Sequence, residues 1–437
     1  MKKAASFALG CKVNQYESEA IAELFAEKGY EIVGIDEEAD VYVINTCTVT
    51  NFGDKKSRQL IRKVKRQNEN AIVAVVGCYA QTAPKELMEI AGVNLVIGTK
   101  DRAQIVEMVE QYDRANGVEN HVSDIMKERV FEPLSIQKLA NRTRAYLKIQ
   151  DGCSQYCSYC IIPYARGPIR SREPQEVVAE VKRLAKNGFK EVVLTGIHVA
   201  SYGKDRRDTS LLDILKQVHE VEGIERIRFS SIEPNVVTEE FAQTMAALPK
   251  VCDHFHLSLQ SGCDETLERM NRRYRSGEYR ERCELLREVY GNPALTTDVI
   301  VGFPQESEEE FRKSYDFVDS IRFYETHIFK YSRRQGTKAA AMDGQLTEAE
   351  KSFRSEKMIE LHHRHAGDYE KSMLGKNLEV LIEEEYTKDG RTWYLGHSRE
   401  YIKTAVPKSE AYGVNDIVIV KAEGFLEEHI MTGEAVE

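Results

Sequence analysis

A chain of 437 residues is too long for one typical core and implies several domains. Its 61 lysines and arginines against 71 aspartates and glutamates leave a net charge of −10, which does not favour nucleic-acid binding by bulk charge, though a local basic patch would suffice. Hydrophobic residues at 42% and charged residues at 30% fit a soluble chain, and no apolar run reaches the ~18 residues of a membrane span. The apolar stretch of "MKKAASFALGCKVNQYESEA" is too short for a signal peptide, so a cytoplasmic setting is expected. In that setting nine cysteines serve metal ligation or catalysis rather than a disulfide framework.

Residues 1–115 alternate short Val- and Ile-rich runs ("AASFALG", "DVYVINTC", "AIVAVVGC", "VNLVIG") with helix-like segments. That alternation predicts an open parallel α/β sheet. Cys11, Cys47 and Cys78 each stand just after one of these strands. Ligands of open α/β sheets collect at the carboxyl ends of strands, so three distant thiols are expected at one edge. Between the second and third runs, Lys55–Arg66 ("KKSRQLIRKVKR") holds seven basic residues and no acidic one. Leu60, Ile61 and Val64 share one helical face there, which turns the basic groups outward. The segment is a candidate phosphate contact; the bland alternative is a solvated helix face. The run Arg269–Arg282, "RMNRRYRSGEYRER", is a weaker signal because two glutamates interrupt it.

Residues 116–138 are polar and weakly patterned and read as a linker. Residues 139–370 then supply six candidate strands, "RAYLKIQ", "KEVVLTG", "RIRFSSI", "HFHLSLQ", "TTDVIVGF" and "ETHIFKYS", divided by helical patterns. They predict an incomplete parallel (β/α)6 barrel, whose site lies at the strand C-termini. Residues 372–437 change to short strands with turn signals such as Lys388-Asp389-Gly390, which predicts a small all-β barrel. Residues 376–437 hold seven basic and thirteen acidic residues, so any RNA contact there requires segregated charge.

The loop after the first barrel strand reads "DGCSQYCSYCIIP", a CxxxCxxC of Cys153, Cys157 and Cys160. Structural zinc takes four protein ligands. Three thiolates suit a 4Fe–4S cluster with one iron left open. With this motif the chain resembles the radical S-adenosylmethionine enzymes, whose open iron chelates that cofactor. The resemblance implies that Tyr159, the aromatic residue before the last cysteine, lies near the adenine. It also implies that "LTGIHV", with Gly196 alone in place of two glycines, contacts the methionine part. By strand-end position plus resemblance, Ser230, Ser231, Gln260, Ser261, Asp298 and Gly302 are further site candidates. Of these, Ser231, Gln260 and Gly302 join Tyr159 and Gly196 as the expected S-adenosylmethionine contacts.

An N-terminal domain with three strand-end cysteines, a radical barrel and a small β domain together resemble the methylthiotransferases over essentially the whole chain. That resemblance implies a second 4Fe–4S cluster on Cys11, Cys47 and Cys78, a TRAM-like C-terminal barrel, and two uses of S-adenosylmethionine. One molecule methylates the sulfur and another makes the radical. "LGCKVNQYESEA", "INTCTVTNFGDKKSRQLIR", "LTGIHVASYG" and "HLSLQSGCDETLERMNRRY" are similar to the branch acting on N6-threonylcarbamoyladenosine at tRNA position 37. The isopentenyladenosine branch usually has Gln-Met where Lys12-Val13 stand, and Gln-Asn at Ile197-His198. The alternatives are that isopentenyl branch, a ribosomal-protein aspartate as target, or an iron–sulfur-sensing RNA-binding protein without enzymatic activity. The implied partners are tRNA carrying threonylcarbamoyl on adenosine-37 and an electron donor such as flavodoxin or ferredoxin; the sulfur donor stays open. Cys252, Cys263 and Cys283 fit neither triad. His254 and His256 read as barrel packing, as does Trp393 in the last domain, and His362, His363 and His365 as one helix.

Overall fold

The computed structural model describes residues 1–136 and 143–436. The end of the expected linker (137–138), the start of the expected barrel domain (139–142) and residue 437 lie outside the described residues.

The N-terminal strands are β1 (Lys3–Ala8), β2 (Glu31–Ile32), β3 (Val41–Thr46), β4 (Ile72–Gly77), β5 (Leu95–Val96) and β6 (Glu119–Asn120), paired in the order β2-β1-β3-β4-β5-β6 and all parallel. Helices cover both faces, which is why β3 and β4 are nearly continuous apolar runs. On one face α1 (Lys12–Glu27) contributes Ile21 and Phe25. On the other, α2 (Asn51–Gln67) contributes Ile61 and Val64. Strands β2 and β6, two residues each, carry no readable alternation. Strand β6 falls within the segment expected as linker. That segment is built into the fold: Ile125, Leu134 and Ile136 are buried, and Glu132 takes the guanidinium of Arg102.

The central unit has β7 (Arg144–Asp151), β8 (Arg170–Ser171), β9 (Glu191–Gly196) and β10 (Arg226–Phe229) in one sheet, ordered β10-β9-β7-β8 with β8 antiparallel. A second sheet holds β11 (His254–His256), β12 (Ala294–Val301) and β13 (Glu325–Lys330) in parallel. Parallel bridges from Ile227 to Val251 and from Ile232 to Leu257 join the two sheets. Along β7, Ala145, Leu147 and Ile149 pack outward into the helix layer, so Arg144, Tyr146, Lys148 and Gln150 face inward. The inner face of this unit is therefore polar and charged.

The C-terminal strands β14 (Asn377–Lys388), β15 (Arg391–Ser398), β16 (Lys403–Pro407), β17 (Ile417–Glu427) and β18 (Ile430–Ala435) close into a barrel in the order β14-β15-β16-β18-β17. Asp389 and Gly390, both at positive φ, make the tight turn between β14 and β15 that an Asp-Gly pair favours. This barrel seats Tyr401 against His254, with ring centroids 5.1 Å apart, and between the guanidinium groups of Arg144 and Arg228. Arg226 donates to the His397 carbonyl at 2.9 Å. The small barrel thus covers the N-terminal end of the central strands, opposite the cysteine loop.

Candidate functional site

The cysteine loop leaves β7 through Gly152, at φ +73°, where a Cβ would lie 1.8 Å from the Pro168 carbonyl oxygen. Only glycine lets the chain fold back this tightly. The Cys153 amide then donates to the Gly167 carbonyl at 3.0 Å, and the Cys160 amide to the Cys157 carbonyl at 3.0 Å. Burial pushes the Cys153 thiol up to about 11 and the Cys160 thiol higher still, and Cys157 raises both further. Thiols in this state need a metal to displace their protons. One guanidinium nitrogen of Arg272 lies 3.2 Å from the Cys157 sulfur. Arg272 also pairs with Glu233 at 3.3 Å; Glu233 in turn accepts from Gln155 at 3.0 Å and lies 3.2 Å from His198 Nε2. The sequence pattern does not single out Arg272, Glu233 or His198 as site residues. Their signal is position alone, since Glu233 and His198 each follow a strand end.

The other candidates sit at neighbouring strand ends. Tyr159 packs edge-on against Phe303, beside Met270 and Tyr331. Gly196 ends β9 against Gln150: a Cβ there would meet the Gln150 Oε1 at 2.9 Å, the same atom that accepts from the His198 amide at 2.7 Å. Ser231 is exposed just past β10. Gln260 holds φ +70° while its amide donates to the Asp298 carbonyl at 2.8 Å, a backbone strain that accompanies functional strand ends. Gly302 gives its amide to Glu306 at 2.7 Å, and the stem of Lys351 fills the space behind it. His254 and His256, read as packing, face the polar interior: His256 Nε2 lies 3.2 Å from Asp298, and its ring stacks on His327. Cys252 and Cys283 are buried, the latter in the core of the central unit, and Cys263 donates to Glu265 at 3.0 Å. Trp393 is buried within the small barrel, with Arg391 over its ring.

The second thiol set is assembled from three strand ends. Asn14, in the first turn of α1, donates to the carbonyls of Leu9 at 2.8 Å and Thr46 at 3.1 Å, clasping the ends of β1 and β3. Gly10, at φ +103°, brings the chain against Cys47, so that a Cβ there would lie 2.7 Å from the Cys47 sulfur. Burial pushes the Cys47 thiol up to about 12, with Cys78 and Cys11 adding to it. Cys78 is raised by burial as well, and Arg166 opposes that rise with an Nε–H 3.1 Å from its sulfur.

Arg166 ends the short helix Ile162–Arg166, which begins two residues past Cys160. One buried side chain therefore ties the second set to the loop that carries the first. Its guanidinium also holds Asn14 at 2.6 Å and the buried Glu17. Glu17 is further paired with Arg102 and with Lys148, the latter at 2.7 Å, and Lys148 with Asp151 at 2.5 Å. Arg334, in the loop after β13, donates to Asn51 at 2.6 Å and pairs with Asp54 at 2.7 Å, both in the first turn of the helix that follows Cys47. Arg166 and Arg334 thus tie the segments at Cys78 and Cys47 to loops at the C-terminal ends of the central strands, the mouth of that unit.

Residues 147–318 match the family model of the radical SAM superfamily, and residues 3–98 that of the uncharacterized protein family UPF0004. The chain is 44% identical over 423 residues to the threonylcarbamoyladenosine tRNA methylthiotransferase MtaB of Bacillus subtilis, an alignment covering 96% of this chain and 94% of that protein. The chain belongs to the radical SAM tRNA methylthiotransferases. It is 40% identical to the protein of the same name from Aquifex aeolicus, over 88% of this chain and 93% of that one. It is 36% identical to the tRNA-2-methylthio-N(6)-dimethylallyladenosine synthase of Thermoanaerobacter sp., over 86% and 80%. Among solved structures, the radical S-adenosylmethionine methyltransferase TsrM of Kitasatospora setae, which holds cobalamin and a [4Fe-4S] cluster, superposes with a TM-score of 0.57 at 17% identity. The match covers 78% of this chain and 74% of that one and shows a shared fold. Methylthiotransferases of this family use S-adenosylmethionine and two 4Fe–4S clusters. The donor chemistry fits: each set offers three thiols in mutual electrostatic reach, with a guanidinium beside one sulfur.

Proposed function

We propose that this chain methylthiolates C2 of N6-threonylcarbamoyladenosine at position 37 of tRNA, giving the 2-methylthio derivative. The observation that supports the reading is the contact of Arg166, on the helix that follows Cys160 of one cysteine set, with the sulfur of Cys78 in the other. The names of the relatives give the substrate. The C2–H bond is not acidic enough for a side-chain base, so acid–base catalysis cannot open it. When bound, the cofactors supply what the protein lacks: a carbon-centred radical from S-adenosylmethionine, and a sulfur atom at the second cluster.

In this proposal Cys153, Cys157 and Cys160 hold the cluster that binds S-adenosylmethionine, and Cys11, Cys47 and Cys78 hold the other. Tyr159, Gly196, Ser231, Gln260 and Gly302 line or shape the S-adenosylmethionine position, with Arg272 and Glu233 fixing the loop beneath it. The target base leaves the anticodon-loop stack to enter the mouth, which costs less than extrusion from a duplex. Exposed cations of α2 contact its backbone. The unit 139–370 works as one incomplete six-unit barrel, 1–115 as the auxiliary-cluster domain, and 372–437 as a TRAM-like barrel. A cytoplasmic flavodoxin or ferredoxin supplies electrons.

The test is mass spectrometry of tRNA nucleosides from cells with and without the gene. Loss of 2-methylthio-N6-threonylcarbamoyladenosine, with its precursor accumulating, is expected. Loss of the isopentenyl counterpart would move the substrate to that branch, and no change in either nucleoside would overturn the reading.

A further inference from the structure

Lys12 follows Cys11 directly, yet its side chain leaves the thiol set and enters the interior of the central unit. Its ammonium stands 5.9 Å from the centre of the Tyr146 ring, on the inward face of β7. The side chain is solvent-accessible, and its ammonium forms no ion pair with a described residue. The neighbouring cations are already matched. Arg144 is bound by Glu191 at 2.7 Å and by Glu383, and Arg228 by Glu191 at 2.8 Å. Glu325, which opens β13, is half-buried within electrostatic reach of Lys12 and likewise forms no ion pair with a described residue. The interior thus offers one uncommitted cation and one uncommitted carboxylate, held apart.

The chemistry of the substrate supplies complementary groups. C2 and C6 flank N1 in the adenine six-membered ring, so the C2–H and C6–N6 bonds diverge in the ring plane, and a base whose C2 faces the thiol mouth directs its N6 substituent away from that mouth, along a wall of the interior. A threonylcarbamoyl group carries a carboxylate, a hydroxyl and a ureido N–H. An isopentenyl group carries none of these; a base bound there would shut both charges off from water and give them no partner in return, a basis for rejection.

We propose that Lys12 and Glu325 form the specificity site for the N6 substituent. Lys12 receives the threonyl carboxylate, and Glu325 accepts from the threonyl hydroxyl or the ureido N–H. This deepens the proposed function and rests on it.

The experiment uses anticodon stem-loop RNAs carrying at position 37 adenosine, its threonylcarbamoyl derivative, the methyl ester of that derivative, or the isopentenyl derivative. Binding to the cluster-loaded protein is followed by fluorescence anisotropy, and turnover is measured separately. The unaltered chain should bind the free acid about 10- to 100-fold more tightly than the ester, the scale of one charge-assisted contact. Lys12→Gln should erase that ratio while leaving affinity for unmodified RNA in place, and Lys12→Arg should restore most of it. Iron and sulfide content confirms that the variants are loaded. If a variant fails to load, the acid-to-ester ratio of the unaltered chain decides. Equal binding of acid and ester by the unaltered chain, or an undiminished ratio in loaded Lys12→Gln, overturns this inference alone. Turnover of the isopentenyl RNA in place of the threonylcarbamoyl RNA overturns the proposed function instead.

Discussion

The two thiol sets are assembled by opposite routes. Cys153, Cys157 and Cys160 come from one loop, whose shape is fixed by Gly152, by local backbone bonds and by Arg272. Cys11, Cys47 and Cys78 come from the ends of three strands, so their positions depend on sheet pairing, on the Asn14 clasp and on charges contributed by another domain. A local set tolerates distant change. A dispersed set is as stable as the interface that holds it.

The largest effects should separate the two sets by chemistry. Cys157→Ala should abolish reductive cleavage of S-adenosylmethionine, read as 5′-deoxyadenosine release. Cys47→Ala should retain that cleavage, lose sulfur insertion, and still carry the iron of the barrel set. A Cys47→Ala protein that inserts sulfur at the normal rate would show that the dispersed set does not hold the sulfur-bearing cluster.

The next effect concerns stability and should fall unequally. Arg166→Met removes a two-pronged contact to the fully buried Glu17 but leaves it Arg102 and Lys148, and should cost about 1.5–3 kcal/mol in urea unfolding of the cluster-free chain. Arg272→Met should cost less, because Arg272 meets Glu233 through a single ion-pair contact at 3.3 Å, whereas Arg166 grips both oxygens of Glu17. The same network predicts an acid response. Burial alone would raise the Glu17 pKa, but Arg102, Arg166 and Lys148 outweigh it and hold the carboxyl well below its ordinary range. Its contribution is therefore complete above the unfolded carboxylate pKa of ~4.3 and is lost as pH falls below it. Glu17→Gln should be less stable than the unaltered chain at neutral pH, yet lose stability less steeply below about pH 4, by up to ~1.4 kcal/mol per pH unit. Parallel acid curves for the two proteins would remove Glu17 from this role.

The difference between the sets also explains what the sequence disclosed. Strand-end cysteines and a CxxxCxxC loop are local patterns, and both were legible, as were the alternating units around them. The charged network was not. Glu17 stands in "NQYESEA", where nothing local marks it as buried, because its partners Arg102, Lys148 and Arg166 are remote in sequence. Strands β2 and β6 were missed because two residues carry no periodicity, and the latter turned a polar segment into a structural one. His254 and His256 share a strand face, as alternation requires, but nothing local says whether that face meets a core or a polar lumen.

The smallest effect lies outside both sets, on the arm that leaves Cys47. The sequence offered all seven cations of Lys55–Arg66 as phosphate contacts, and the structure divides them. Lys65 donates to the Ala71 carbonyl at 3.0 Å, Lys63 pairs with Asp36, and Arg58 donates to the Tyr79 hydroxyl at 2.8 Å. Lys56, Arg62 and Arg66 line an open groove of about 590 Å³ beside Phe7 and Leu9, which Lys63 also borders, and unlike Lys63 these three form no ion pair with a described residue. Replacing these three by glutamine should weaken tRNA binding uniformly across modified and unmodified RNAs. It should also flatten the dependence of log affinity on log salt by about 0.7–0.9 for each phosphate no longer neutralised. The corresponding run beside the barrel set is more committed, since Arg269 is held by Glu310 at 2.8 Å and Arg272 by Glu233. Replacing Arg273 and Arg275, its exposed members, should therefore change the slope less. An equal change from both replacements would mean that tRNA straddles the mouth symmetrically, whereas an unchanged slope in the triple variant would take α2 out of the interface.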